Sequence, residues 1–197
     1  MDPVERVKQL FAESAQLSES AADSLAAPIA LAAQQIVDCL LRGGKILTCG
    51  SASCAADAQY FVAQMQHRFA RARPGLPALA LGAEPVVMNA IASDEGFDEL
   101  FATQLRVLGQ PGDLLFALSV DGTAENTCRA VDAARERQMP VIALTGHDGG
   151  ETAARLGAED VEIRTPASQA ARVLENHRLV IHCLCDLIDL QLMGGDL

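Results

Sequence analysis

Between Gly43 and Phe69 the chain reads GGKILTCGSASCAADAQYFVAQMQHRF, and this stretch decides the fold. Lys45 to Cys49 is a compact apolar run after two glycines, which predicts a strand buried on both faces. The small residues from Gly50 to Cys54 favour a tight turn, and from Ala55 onward apolar residues recur at helical spacing. This arrangement presents free amides at a helix N-terminus, where an anion such as phosphate can bind. An ordinary strand-to-helix connection is the alternative.

Composition narrows the class of protein. The 197 residues, half of them hydrophobic, suffice for one α/β domain across positions 1–197. The formal net charge of −11 argues against direct nucleic-acid binding, which needs basic groups to displace counterions. The first residues, MDPVERVKQLF, do not resemble a signal peptide, and no apolar run looks long enough to span a bilayer. We therefore expect a cytoplasmic protein with no membrane contact.

The six cysteines form neither a CxxC pair nor a zinc-ligand spacing. Most lie in apolar runs, so we interpret them as buried free thiols in a reducing compartment. Cys54 lies at the predicted helix N-terminus, and the less favoured interpretation of this residue is a reactive thiol of lowered pKa.

Apolar runs alternate with helical patterns along the chain, which predicts a parallel sheet wrapped by helices. The predicted strands are Lys45–Cys49, Ala78–Leu81, Leu114–Ser119, Pro140–Thr145 and Asp160–Arg164. The predicted helices are Pro3–Ser24, Ala27–Leu41, the one that begins at Ala55, Glu84–Ile91, Phe97–Leu108, Ala124–Gln138, Glu151–Leu156 and Ala167–Met193. The long terminal helices leave apolar surface that another subunit can bury.

Ligands of parallel sheets bind beyond the carboxyl ends of the strands. Three loops lie there: Gly50–Cys54, Ser119–Thr123 and Thr145–Gly150. The first is not a dinucleotide fingerprint, because GxGxxG is absent, and it is not a Walker loop, because no GK[ST] follows.

Four segments carry a family resemblance: KILTCGSASCAADAQYF, IASDEGFDELFATQLRVLGQPGDLLFALS, ALTGHDGG and ARVLENHRLVIHCLCDLID. They resemble a sugar isomerase (SIS) domain of the phosphoheptose isomerase group. The resemblance implies a three-layer α/β/α sandwich with a five-stranded parallel sheet. It also implies a homotetramer whose long N- and C-terminal helices form the subunit interfaces and whose subunits complete each other's sites.

The group has two kinds of member. Isomerases convert sedoheptulose 7-phosphate into a glycero-manno-heptose 7-phosphate. The DnaA initiator-associating type keeps the fold without the activity and tethers several DnaA molecules to stimulate replication initiation. The ending CLCDLIDLQLM resembles the second kind closely, although isomerases of some bacteria share it.

The resemblance also locates the catalytic positions. Isomerases carry His and Glu four residues apart after the first loop, where this chain has Tyr60 and Gln64. They carry Gln and His on the last helix, where this chain has Leu174 and His182. An amide cannot take up the proton that a carboxylate base takes. We therefore expect no zinc or other cofactor and a vestigial His182, for which an ordinary core histidine is the alternative.

The phosphate-binding positions differ from the family pattern as well. Asp121 puts a carboxylate where a phosphate would sit, and like charges about 4 Å apart repel by roughly 4 kcal/mol at an effective dielectric of about 20. A helix cap is the alternative role for Asp121. The substrate-binding positions that the resemblance implies are Ser51, Ala52, Ser53, Cys54, Ser93, Asp94, Ser119, Val120, Asp121, Ala124 and Leu174.

Two surface features suggest partner contacts. Arg68, Arg71 and Arg73 form a basic cluster that is either a solvated rim or a partner contact. The apolar tail Leu190–Met193 faces either a partner protein or a neighbouring subunit.

Three functional hypotheses follow. The leading one is a non-catalytic homotetrameric scaffold of the DnaA initiator-associating type. The second is a phosphoheptose isomerase that works with His182 and Tyr60. The third is a sensor that binds a sugar phosphate without turnover.

Overall fold

A five-stranded parallel sheet forms the centre of the protein in a computed structural model that describes residues 1–194. The strands are β1 (Ile46–Gly50), β2 (Ala78–Ala80), β3 (Leu114–Leu118), β4 (Val141–Gly146) and β5 (Val161–Thr165), in the order β2-β1-β3-β4-β5. Every neighbouring pair is parallel. The five predicted strands are confirmed, with ends that shift by at most one residue. Positions 195–197 of the predicted domain lie outside the described residues.

Helices cover both faces of the sheet. They are α1 (Pro3–Leu41), α2 (Cys54–Gln66), α3 (Pro85–Asp94), α4 (Leu100–Leu108), α5 (Glu125–Glu136), α6 (Gly150–Ala154) and α7 (Ala170–Met193). One hydrophobic core joins α1, α2 and α7 to the sheet, and a second joins α3, α4 and α5 to the opposite face. The three-layer sandwich is confirmed. β1, β3 and β4 are buried at every residue because both of their faces are covered.

The N-terminal region is one helix of 39 residues, so the predicted break between Ser24 and Ala27 is wrong. Pro28 lies inside α1, and a proline normally ends or kinks a helix. Leu25, Ile29 and Ala32 keep a helical spacing of buried positions across it. We infer that packing on α7 and β5 outweighs the local penalty of the proline.

α1 also corrects the expectation about membrane spans. By length and composition, one window of this helix is apolar enough to cross a membrane. The window draws on residues such as Ala33, Ile36 and Val37, which are buried between the sheet and α7. The core helix of a water-soluble fold passes the same test, because its buried face is as apolar as a membrane span.

α7 carries a fully buried histidine, His177, whose Nε2 donates to the carbonyl of Thr145 at 3.0 Å. Burial lowers the pKa of His177 to about 4, so the imidazole is neutral in the folded protein. The contact ties the centre of α7 to the end of β4.

Candidate functional site

The second and third loops at the carboxyl edge of the sheet lock together. Gly122 has a φ of +74°, and a Cβ there would lie 1.9 Å from the carbonyl oxygen of Gly149. The backbone amide and the hydroxyl of Thr152 both donate to the Gly122 carbonyl at 2.9 Å. Only glycine fits this close approach of two backbones.

The first loop turns tightly into α2, as predicted. The Cys54 amide donates to the Ser51 carbonyl at 3.0 Å, and Ala52 has a φ of +50°. Ser53 precedes the helix, and its side chain does not cap it. Cys54 is buried, and burial, followed by the charges of Asp57 and Asp121, raises its pKa to about 12. The alternative of a reactive Cys54 thiolate is therefore wrong.

Asp121 closes a turn within the second loop. Its Oδ1 accepts from the amide of Thr123 at 3.0 Å and from the Thr123 hydroxyl at 2.8 Å. The residue before α5 is Ala124, and the helix has no side-chain cap. The alternative of a helix cap is wrong, since the carboxylate bonds to the loop two residues before the helix begins. Asp121 is exposed, so this edge of the sheet carries a negative charge.

Ser119 and Val120 take internal roles in the same loop. The Ser119 hydroxyl oxygen accepts from the amide of Gly122 at 3.0 Å, and Ser119 is buried. Val120 is partly buried against the core below the loop. Both side chains therefore shape the loop.

Tyr60 and His182 meet across the α2–α7 contact, although they lie 122 residues apart in sequence. The Tyr60 hydroxyl and His182 Nε2 are 3.0 Å apart, and the two rings pack edge to face with centroids 5.7 Å apart. The Phe69 ring also packs on His182, at 5.6 Å between ring centroids. His182 thus contacts two aromatic side chains, one of which hydrogen-bonds to it.

Arg178 belongs to the same cluster, and the sequence interpretation missed it. Its guanidinium carbon lies 3.8 Å from the centroid of the Tyr60 ring, and Nη2 pairs with Asp57 Oδ1. Burial raises the pKa of the Asp57 carboxyl, and Arg178 partly offsets that rise. A sequence signal existed: Arg178 lies four residues before His182, which places both on one face of α7.

The other predicted catalytic positions do not join this hydrogen bond. Gln64 is half-buried, and its backbone carbonyl accepts from Arg73 Nη2 at 2.9 Å. Within residues 1–194, the Gln64 side chain makes no hydrogen bond. Leu174 is half-buried against the core shared by α1, α2 and α7.

Ser93 and Asp94 are the last two residues of α3, which continues three residues past the predicted end at Ile91. Both are exposed. No hydrogen bond or ion pair joins them to the other predicted site residues in the described part of the chain.

The donor set around His182 does not fit a zinc ion. Zinc in proteins is bound by thiolate, imidazole or carboxylate groups, usually three or four of them. Here a phenol, one imidazole and a guanidinium come together. Among the described residues, no group of three or more His, Cys, Asp and Glu is placed to hold a metal.

The basic cluster divides into two environments. Arg68 is exposed, but the Arg73 side chain is buried and its Nε donates to Asp189 of α7, so a solvated rim is wrong for Arg73. Arg71 donates to the carbonyl of Gly194 at 3.0 Å. In the tail, Leu192 packs on the core of its own chain, whereas Met193 is 49% exposed.

Residues 9–146 match the family described as SIS domain. The DnaA initiator-associating protein DiaA of Klebsiella pneumoniae is 50% identical over 186 residues, which cover 94% of this chain and 95% of the relative. The phosphoheptose isomerase of Shewanella sp. (strain ANA-3) is 48% identical over 193 residues, which cover 98% of each chain.

A solved structure gives the same result. The phosphoheptose isomerase of Neisseria gonorrhoeae superposes with a TM-score of 0.89 at 45% identity, over 94% of this chain and 97% of that one. A DnaA initiator-associating protein and a phosphoheptose isomerase are therefore similar to this chain at nearly equal sequence identity. Similarity alone does not separate a DnaA-associating protein from an isomerase.

Proposed function

The chain belongs to the SIS domain family, and on that premise we propose that it is a non-catalytic, homotetrameric scaffold of the DnaA initiator-associating kind. Its place of action is the cytoplasm, its partner is DnaA, and its role is the regulation of replication initiation. The observation that carries the proposal is the hydrogen bond between the Tyr60 hydroxyl and His182 Nε2.

Aldose–ketose isomerisation needs a base that takes a proton from one carbon and delivers it to the next. The Tyr60 hydroxyl already occupies His182 Nε2, and the neighbouring Gln64 has an amide that cannot act as a base. Losing a general base alone removes on the order of 10²–10⁴-fold in rate.

The phosphate side of the site supports the same proposal. The Asp121 carboxylate is exposed at the edge where a sugar phosphate would approach. The first loop presents Ala52 and a buried Cys54 thiol, which is a weak hydrogen-bond donor. These features also disfavour a sugar-phosphate sensor.

The scaffold role needs several copies of one surface. An apolar groove of about 470 Å³ runs between α1 and α7, with Leu25, Ile29 and Leu179 among its lining residues. A second subunit seated there would bury Leu179, which is 45% exposed in the single chain. A tetramer would present each partner-binding surface four times and so raise the effective concentration of tethered DnaA.

Two measurements on the purified protein test the proposal. Calorimetric titration with the DnaA of the same organism should show saturable binding. Incubation with sedoheptulose 7-phosphate should give no turnover above that of the His182→Ala variant. Turnover that His182→Ala abolishes would identify an isomerase, and failure to bind DnaA would refute the scaffold. Stabilisation by a sugar phosphate in a thermal-shift assay, without turnover, would support the sensor.

A further inference from the structure

The Arg178 guanidinium lies against the hydrogen-bond partner of His182. It stacks on the face of Tyr60, whose hydroxyl is 3.0 Å from His182 Nε2. A cation over an aromatic face is attracted by the electron-rich ring, so this position is favourable in its own right. Arg178 therefore adds a positive charge beside the one imidazole that the family pattern retains.

Asp57 holds this cation in place. The Asp57 side chain is 7% exposed and pairs with Arg178 Nη2 across 121 residues of sequence. Asp57 lies in the first turn of α2, three residues before Tyr60, and Arg178 lies four residues before His182 on α7. The ion pair thus joins the same two helices that bring Tyr60 and His182 together.

We propose that the Asp57–Arg178 pair is a cation lock, which excludes divalent metal ions from the His182 site independently of the missing ligands. A guanidinium stacked on Tyr60, the hydrogen-bond partner of His182, repels a dication, and the charge of Asp57 is already engaged by Arg178. The inference deepens the proposed function: two separate features, the absent ligands and the resident cation, keep the site free of metal.

The test separates these two features. In the rebuilt variant, Tyr60→His, Gln64→Glu and Leu174→Gln restore the ligand types that the family resemblance implies. To this background we add either Arg178→Met with Asp57→Asn, which removes both charges, or Arg178→Lys, which keeps the cation. Because Asp57→Asn removes a carboxylate, any gain in zinc affinity cannot come from a new carboxylate ligand.

Zinc affinity is measured by calorimetry, and cobalt absorption reports a tetrahedral site. The rebuilt variant that also carries Arg178→Met and Asp57→Asn should bind Zn²⁺ about 10–100-fold more tightly than the rebuilt variant alone. This is the size of effect that groups surrounding metal ligands have on metal affinity. The variant with Arg178→Lys should bind as weakly as the rebuilt one. Equal zinc affinity with and without Arg178, or the same gain with Arg178→Lys, would overturn the lock.

Circular dichroism and gel filtration establish that each variant is folded and assembled before its affinity is read. If the rebuilt variant does not fold, the same comparison is made on Tyr60→His alone, which places two imidazoles in contact. These readouts are independent of turnover and DnaA binding by the natural protein. The lock and the proposed function can therefore fail separately.

Discussion

Replacing Arg73 by alanine should destabilise the protein more than the loss of any surface charge. The side chains of Arg73 and Asp189 are 1% and 2% exposed, and the pair joins the loop after α2 to the last turns of α7. The guanidinium also donates to the carbonyls of Gln64 and Met65 at 2.9 Å, which lie in the last turn of α2. The Arg73 side chain thus donates hydrogen bonds both to carbonyl groups at the end of α2 and to the buried Asp189 carboxylate.

The magnitude follows from what the substitution leaves behind. In Arg73→Ala, Asp189 keeps its charge but loses its donor, and its second oxygen, Oδ2, already has no hydrogen-bond partner. Removing one member of a buried ion pair costs about 3–5 kcal/mol, because the other charge stays buried and unpaired. For a chain of this length, about 4 kcal/mol corresponds to a fall in Tm of about 8–16 °C.

Urea denaturation and calorimetry, both at one protein concentration, measure the effect, because any association between copies would make stability depend on concentration. Arg106→Ala is the matched control: its side chain is 42% exposed and pairs with Glu99 and Glu136. That change should cost less than about 1 kcal/mol. The double variant with Arg73→Met and Asp189→Leu should regain most of the loss. A cost below about 1 kcal/mol for Arg73→Ala would refute the reasoning.

Three further outcomes are expected. Folding lowers the pKa of His177 to about 4, so as the pH falls the unfolded chain binds a proton at this residue before the folded protein does; stability is therefore lost between about pH 6.5 and pH 4, by about 3 kcal/mol in all. The His177→Gln variant, compared with the natural protein by urea denaturation at pH 7 and pH 4.5, should lack this loss, and an identical loss in the variant would contradict the assignment. Cys54, with a pKa raised to about 12, should react with iodoacetamide about a thousandfold more slowly in the native protein than in urea. Mass spectrometry of the peptide that contains Cys54 measures the labelling rate, and rapid labelling of the native protein would contradict a buried thiol. Gly122→Ala should lower the free energy of unfolding by more than about 2 kcal/mol, because the new Cβ meets the Gly149 carbonyl, whereas Gly43→Ala, where φ is also positive but the space is open, should lower it by only about 1 kcal/mol. Equal losses in urea denaturation would show that the two loops move apart to accept the Cβ.

The strands and the turn into α2 could be predicted because their signals are local. An apolar run bounded by glycines marks β1, and the spacing of Ala58, Phe61 and Met65 marks α2, whichever residues lie opposite them. The order of the strand-end loops along the chain also placed the candidate site at one edge of the sheet. The role of Asp121 was predicted less well, since a carboxylate near a helix start can bond to the helix or to its own loop.

The alternation of strands and helices, the parallel sheet and the chemical types at the family's catalytic positions could all be read from the sequence. The folded structure was needed to establish that α1 continues through Pro28, that the Arg73 side chain is buried, and that Arg178 stacks on Tyr60. The two arginine contacts join distant parts of the chain: Arg73 meets Asp189 across 116 residues, and Arg178 meets Asp57 across 121. Periodicity reports which face of an element is apolar, but it does not report which distant charge that face will meet.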